Sequence, residues 1–143
     1  MSYTVRLLGP DDAPILNHLA PDVFDNAIDP RWTAEFLADP RHHLAVALDG
    51  ETVVGMASAV HYVHPDKAPE LWVNEVGVAP THQRRGIGRQ LLHALFARGR
   101  ELGCQTAWVL TEHDNVAARG LYAALGGVEA PQVMVEFNLA EAI

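Results

Sequence analysis

Val78-Ala79-Pro80-Thr81-His82-Gln83-Arg84-Arg85-Gly86-Ile87-Gly88 runs out of an apolar stretch and leads into an amphipathic one. The pattern predicts a strand, a turn, and then a glycine-containing loop that becomes a helix N-terminus. The first four N–H groups of a helix have no partner within it and lie at the positive end of its dipole. A bound phosphate is favoured there. Gly86 and Gly88 allow a ligand close to the backbone, and Arg84, Arg85 and Arg89 add positive charge. The stretch describes a cradle for a pyrophosphate, and so for a nucleotide-bearing cofactor.

The better-known phosphate loops do not fit. A Walker loop would end in Gly-Lys-Ser/Thr, whereas this one ends Gly86-Ile87-Gly88-Arg89. A dinucleotide fingerprint needs three glycines in a first βα unit and an acid about twenty residues on. Gln83-Arg84-Arg85-Gly86-Ile87-Gly88, following a strand that ends Val78-Ala79-Pro80, instead resembles the coenzyme A motif of the GNAT N-acetyltransferases. That resemblance implies acetyl-CoA as co-substrate. It implies contacts from Val76 and Val78 of the strand, from Gln83, Arg84, Arg85, Gly86, Ile87, Gly88 and Arg89 of the loop and helix start, and from Asn115 downstream.

Outward from this stretch, the chain reads as one domain over residues 1–143. Tyr3 to Leu8 alternates as a first strand, and Asp12 can cap a short helix carrying Ile15, Leu16 and Leu19. Asp29-Pro30 starts a second helix, cap followed by proline at the first position, burying Trp32, Phe36 and Leu37. His43 to Leu48 and Thr52 to Tyr62 flank Asp49-Gly50, a hairpin signal. Leu71 to Val78 is the central strand. From Arg89, the residues Leu91, Leu92, Leu95, Phe96 and Leu102 share a helical face, with Gly103 at its C-terminal stop. Thr106 to Leu110 is a buried strand. Asp114-Asn115 caps a helix with Val116, Leu121 and Leu125 inward, and Val133 to Leu139 is a last strand. The order β-α-α-β-β-β-α-β-α-β is an α/β arrangement. It is also the order of the GNAT fold, whose mixed, mostly antiparallel sheet is flanked by helices. That fold usually ends in two strands, of which only one is evident here, with Gly127-Val128-Glu129-Ala130 a short remnant of the other.

With 143 residues, 49% of them hydrophobic and 20% charged, the chain has the composition of a folded globular protein. No apolar run approaches the roughly 20 residues of a membrane helix, and the first residues lack a signal-peptide core. The one cysteine, Cys104, fits a reducing cytoplasm. A formal net charge of −8 argues against a nucleic-acid partner and is compatible with a cationic substrate. A homodimer is an open expectation.

Moving an acetyl group from a thioester to an amine requires deprotonating the ammonium, polarising the carbonyl and protonating the leaving thiolate. Glu75, three residues before Val78, is the candidate base, because an acid in an otherwise apolar strand is costly unless used. In GNAT enzymes an acid at this place commonly contacts the amine or a water beside it. Asn74 stands where many relatives carry a second acid, and is a candidate acceptor contact. Asn115 and Tyr122 are seven apart, two helical turns, and share a face. The resemblance gives Asn115 to the pantetheine arm, makes Tyr122 the acid near the sulfur, and gives the Val78 N–H to the acetyl carbonyl. A splaying of the strand near this point, eased by Gly77, would leave amides for the pantetheine. Glu112 and Asp114, at the C-terminal end of a strand, could hold a cationic acceptor.

His61-x-x-His64 and His42-His43 lack a third ligand at a recognised spacing, so no metal is expected. Cys104 reads as a small core residue, and Trp32, Trp72 and Trp108 read as core, with Trp72 able to line a cleft.

Within the superfamily, Arg6-Leu7-Leu8-Gly9-Pro10-Asp11, Val53-Val54-Gly55-Met56, Ala118 to Tyr122 and Val133-Met134-Val135-Glu136-Phe137 are similar to the GNAT-type aminoglycoside 3-N-acetyltransferases. This implies an acceptor amine at Glu75 and an acid at Glu112 holding a cationic sugar. Asn74 replaces an aromatic residue of those enzymes, and no second acid stands immediately after Asn115. Acetylation of a protein N-terminus or lysine remains an alternative, as does a non-catalytic acetyl-CoA sensor, which the presence of Glu75 and Tyr122 disfavours.

Overall fold

The computed structural model describes residues 2–141. Five strands, β1 (Thr4–Leu7), β2 (His42–Asp49), β3 (Thr52–Tyr62), β4 (Glu70–Val78) and β5 (Thr106–Val109), form one sheet in chain order. The first three junctions are antiparallel; β4 and β5 are parallel, joined by the crossover helix α2 (Ile87–Glu101), with α1 (Pro30–Ala38) before the hairpin and α3 (Val116–Ala124) at the end. This is the α/β layout with a mixed, mostly antiparallel open sheet that the sequence implies.

Local signals place the central elements. The Asp29 carboxylate accepts the Arg31 N–H at 2.8 Å and Pro30 opens α1. Asp49 pairs with Thr52 across the hairpin, with Gly50 in the left-handed region at φ 61°. Leu91, Leu92 and Leu95 of α2 pack on the face carrying Ala45, Ala47 and Ala57, while Val46 and Met56 fill the opposite face, all at or near zero exposure. Removing that much apolar surface from water is the main stabilising term, roughly 25 cal/mol per Å².

Several expectations are corrected. Residues Ala13–Asn17 form the expected short helix, of 3-10 type, but Asp12 does not cap it through its side chain: that carboxylate accepts from the Gly9 N–H and the Arg6 guanidinium, each at 2.7 Å. Trp32 is 70% exposed, because the nine-residue α1 buries only the stripe through Phe36 and Leu37. Trp72 and Trp108 are partly exposed rather than core. β5 is also partly exposed, being the sheet's last strand, and Val116 stands out from the first turn of α3. Val133 to Leu139 forms no strand, nor does Gly127 to Ala130. Arg119 on α3 clasps Glu129 through two 2.8 Å bonds, and Pro131 follows, so the chain leaves the body instead of turning back onto β5.

Candidate active site

β4 changes character halfway. Ser58 of β3 pairs with Glu75 but Ala59 pairs with Val73, so Asn74 is an extra residue, a β-bulge. The parallel ladder to β5 stops at Val73 and Val109. Among the described residues, β4 from Asn74 onward has a strand partner only on its β3 side. The β5 ladder thus ends five residues before Val78, where β5 itself ends, and the irregularity of β4 lies at Asn74 rather than beside Val78.

Backbone alternation then fixes which amides face the gap. The Ala79 N–H donates to the Val54 carbonyl at 2.8 Å, so the polar groups of Val78 point the other way. The Val78 carbonyl accepts the Gln83 side-chain amide at 3.1 Å, consistent with that direction. Val76, two residues back, shares it. Gln83 thus ties the loop to the strand end, a job its assignment to the cofactor did not foresee.

Beyond Gln83 the loop turns through two left-handed residues, Arg84 at φ 63° and Gly86 at φ 79°. At Gly86 a side chain would be strained by the backbone, while the space beside its Cα is open. The helix that follows starts without a side-chain cap and without an acid in its first turn; its first internal bond is Gln90 N–H to the Gly86 carbonyl, 3.1 Å. The amides of Ile87, Gly88 and Arg89 have no partner within the helix. Ile87 itself is buried, so it contributes backbone and core rather than a contacting side chain. Arg84, Arg85 and Arg89 are exposed around this end.

Gly88 brings three elements together. A Cβ there would lie 3.2 Å from the Leu121 side chain and 3.9 Å from Val76. The start of α2, the open half of β4 and the face of α3 carrying Leu121, next in sequence to Tyr122, therefore meet. α3 is capped by Asn115, whose Oδ1 accepts the Ala118 N–H at 3.1 Å, so of its side-chain groups the amide donors are the ones suited to a ligand. Tyr122 is half-buried, and burial raises its pKa above the ordinary phenol value. The hydroxyl stays protonated at neutral pH, as a proton donor must.

Glu75 and Asn74 are exposed. Val76 faces α2 and α3, so Glu75 projects from the opposite face of the sheet, the one that also carries Trp72. Trp72 stacks on Trp108 at 5.0 Å between centroids, with Tyr62 edge-on to Trp108. Gly77 lies on this same face directly beneath the Val23 carbonyl, which any Cβ would strike. Gly77 therefore lets the segment after the 3-10 turn cross β4, rather than easing the splay. Glu112 and Asp114 sit exposed on the β5–α3 loop, whose bonds run towards α3: Asn115 N–H to the Glu112 carbonyl and Arg119 to the His113 carbonyl. No hydrogen bond among the described residues brings them to Glu75.

One contributor carries no signal in the sequence. His82 reaches Asp49 at the hairpin tip (Nε2 to Oδ2, 2.9 Å) and the Thr81 hydroxyl (2.7 Å), pinning the β4–α2 loop to β2. The partners are 33 residues apart, and only the folded hairpin joins them. His43 and His61 pair at 2.8 Å; burial, then the charges of His61 and Arg98, lower the pKa of His43 to about 4. Among the described residues no group of three or more His, Cys, Asp or Glu side chains could hold a metal.

Known structures share this fold. An aminoglycoside acetyltransferase, meta-AAC0020 from an uncultured soil metagenomic sample, superposes with a TM-score of 0.84 at 19% identity, covering 96% of each chain. Aminoglycoside N-acetyltransferase AAC(6')-Iy, solved in complex with CoA, does so at 0.78 and 19%, covering 96% of this chain and 95% of that one. In sequence, N-alpha-acetyltransferase RimI of Mycobacterium tuberculosis is 38% identical over 92 residues, 63% of this chain and 54% of that protein. Mycothiol acetyltransferase of Saccharopolyspora erythraea is 35% identical over 89 residues, 61% of this chain and 27% of that protein. The chain thus matches about half of the first relative's length and about a quarter of the second's. The model of the acetyltransferase (GNAT) family matches residues 13–126, and the chain belongs to that family.

Proposed function

We propose that this protein, one GNAT domain over residues 1–143, transfers an acetyl group from acetyl-CoA to the primary amine of a small cationic acceptor in the cytoplasm. One observation carries the reading: the uncapped start of a fifteen-residue helix lies against the half of β4 that β5 leaves unpaired. The first suits a pyrophosphate, and the second suits the amides of a pantetheine arm. Family membership and a neighbour solved with CoA support the cofactor.

Acetyl-CoA supplies a thioester-activated acetyl group. Glu75 takes a proton from the acceptor ammonium, directly or through a water, and leaves a nucleophilic amine. The Val78 N–H, and Val76 beside it, polarise the carbonyl as charge develops on its oxygen. Tyr122 gives its proton to the leaving thiolate. Asn115 donates to the pantetheine arm; Gln83, Arg84, Arg85, Gly86, Ile87, Gly88 and Arg89 hold the pyrophosphate; Asn74, Glu112 and Asp114 contact the acceptor. Net charge −8 and the exposed acids favour a cationic acceptor, and an aminoglycoside is within that class.

A second reading, acetylation of a protein N-terminus, is favoured by the 38% identity to N-alpha-acetyltransferase RimI. Thiol release from acetyl-CoA separates the two. A panel of aminoglycosides, polyamines, amino acids and short peptides should show turnover with small cationic amines. Turnover confined to peptides would select the second reading, and release with none would leave a cofactor-binding sensor.

A further inference from the structure

The loop assigned to the pyrophosphate is bent through an unfavourable backbone. Arg84 has φ 63°, in the left-handed region that glycine adopts freely and a residue with a Cβ resists. Gly86 follows at φ 79°. A strained residue of this kind persists only where the surrounding structure over-determines it. After the bend, Ile87 is buried at 1% exposure and fixes the helix start. Before it, two consecutive side chains hold the chain: His82 on Asp49, and Gln83 on the Val78 carbonyl at 3.1 Å.

The His82 anchor reaches out of the local segment. Pro80–His82 is a single 3-10 turn, closed by the His82 N–H on the Ala79 carbonyl at 2.8 Å. From that turn the imidazole crosses to the tip of the β2–β3 hairpin, where Asp49 precedes the left-handed Gly50. Nε2 meets Asp49 Oδ2 at 2.9 Å, and Nδ1 meets the Thr81 hydroxyl at 2.7 Å. A carboxylate only accepts, so Nε2 carries the proton. In the neutral ring Nδ1 is then the acceptor, and the Thr81 hydroxyl donates to it. The second bond therefore orients the ring for the first. The His82 side chain is only 15% exposed, so the bond to the carboxylate is partly withdrawn from water and stronger than one on a bare surface.

We propose that His82, held by Asp49, is a positioning residue for acetyl-CoA. The bond keeps Arg84 in its left-handed bend, so that the amides of Ile87, Gly88 and Arg89 converge before the cofactor arrives. The inference rests on the cofactor reading above and adds the hairpin tip to it. Donors ordered in advance bind more tightly, because their ordering does not have to be paid for on binding. Loss of the anchor therefore acts on cofactor affinity and not on the chemical step, since Glu75 on β4 and Tyr122 on α3 stay where they are.

Calorimetric titration with acetyl-CoA and steady-state kinetics test it together on the full chain. His82→Phe keeps the shape of a ring and removes both nitrogens, and Asp49→Ala removes the other partner. Each is expected to raise the Kd and the KM for acetyl-CoA about tenfold, with kcat at saturating cofactor and the KM for the amine unchanged. The double variant should be no weaker than either single one, since all three lose the same bond. A Kd in His82→Phe within about twofold of wild type overturns the proposal, whatever happens to the melting temperature. A bond that only braces the fold moves the melt and leaves the affinity of the folded protein alone. A fall in kcat at saturation, or a double variant whose losses multiply, overturns it as well. Wild-type protein that binds no acetyl-CoA overturns both the proposal and the cofactor reading beneath it, and that result is seen before any variant is compared.

Discussion

The sheet is sealed on one side and open on the other. On β2, β3 and the first half of β4, Ala45, Ala47, Ala57 and Leu71 are shut from water under α2, and Val46 and Met56 are shut from water on the opposite face. From Asn74 onward, and through β5, α3 and residues 127–141, α3 has no fully buried residue and the last segment none at all. Apolar residues are abundant in both regions, so composition is not the difference. What differs is whether a second element from the same chain covers them. The sealed region supplies stability; the open one supplies unpaired amides and an uncapped helix start, the features a cofactor would complete.

The sharpest way to break this division is to change chemistry without changing stability. Glu75→Gln, on the exposed face, should lower turnover by roughly 10²–10⁴ and abolish the acidic limb of the pH–rate profile, with acetyl-CoA affinity and melting temperature unchanged. Near-full activity between pH 6 and 9 would move the base elsewhere.

The converse change belongs to the sealed half. Leu91→Ala, at 0% exposure under β3, should cost about 2–5 kcal/mol by chemical denaturation. His43 makes the same region sensitive to acid. Its pKa is about 4 when folded against an ordinary value of 6.5, so the unfolded chain binds the proton more readily. The stability it contributes is complete above pH 6.5 and is lost as pH falls through 4, up to about 3 kcal/mol. His43→Gln should flatten thermal melts measured across that window.

Smaller effects return to the open half. Tyr122→Phe should reduce turnover by about tenfold, less than Glu75→Gln, because a thiol with a reference pKa of about 8.5 leaves without much help. A tyrosine that only packs would leave turnover normal at saturating substrates. Val128→Ala, at 93% exposure, should change stability by no more than about 0.5 kcal/mol.

The same division decides how much was legible in the sequence. Asp29-Pro30, Asp49-Gly50, Gly103 after α2 and the loop from Gln83 to Gly88 are local signals, and each stands where its residues imply. Periodicity found Leu91, Leu92 and Leu95 because a long helix on a sheet has one inward face. It misplaced Trp32 and Val116, since a nine-residue helix can leave either side of its stripe in water. The bulge at Asn74 depends on the register with Ser58, and the His82–Asp49 bond joins residues that only the hairpin makes neighbours. Val133 to Leu139 carries a strand pattern and forms no strand, and alternation alone cannot say whether a strand finds an edge.

Acetyl-CoA binding followed by hydrogen exchange tests the cofactor assignment most directly. At one hundred times its dissociation constant, acetyl-CoA should stabilise the fold by about 2.7 kcal/mol. Protection should concentrate on the amides of Val76, Val78 and Arg84 to Arg89, and both effects should vanish in Gly86→Val. No stabilisation, protection confined to other segments, or an unchanged response in Gly86→Val would contradict a cofactor seated between the start of α2 and the open half of β4.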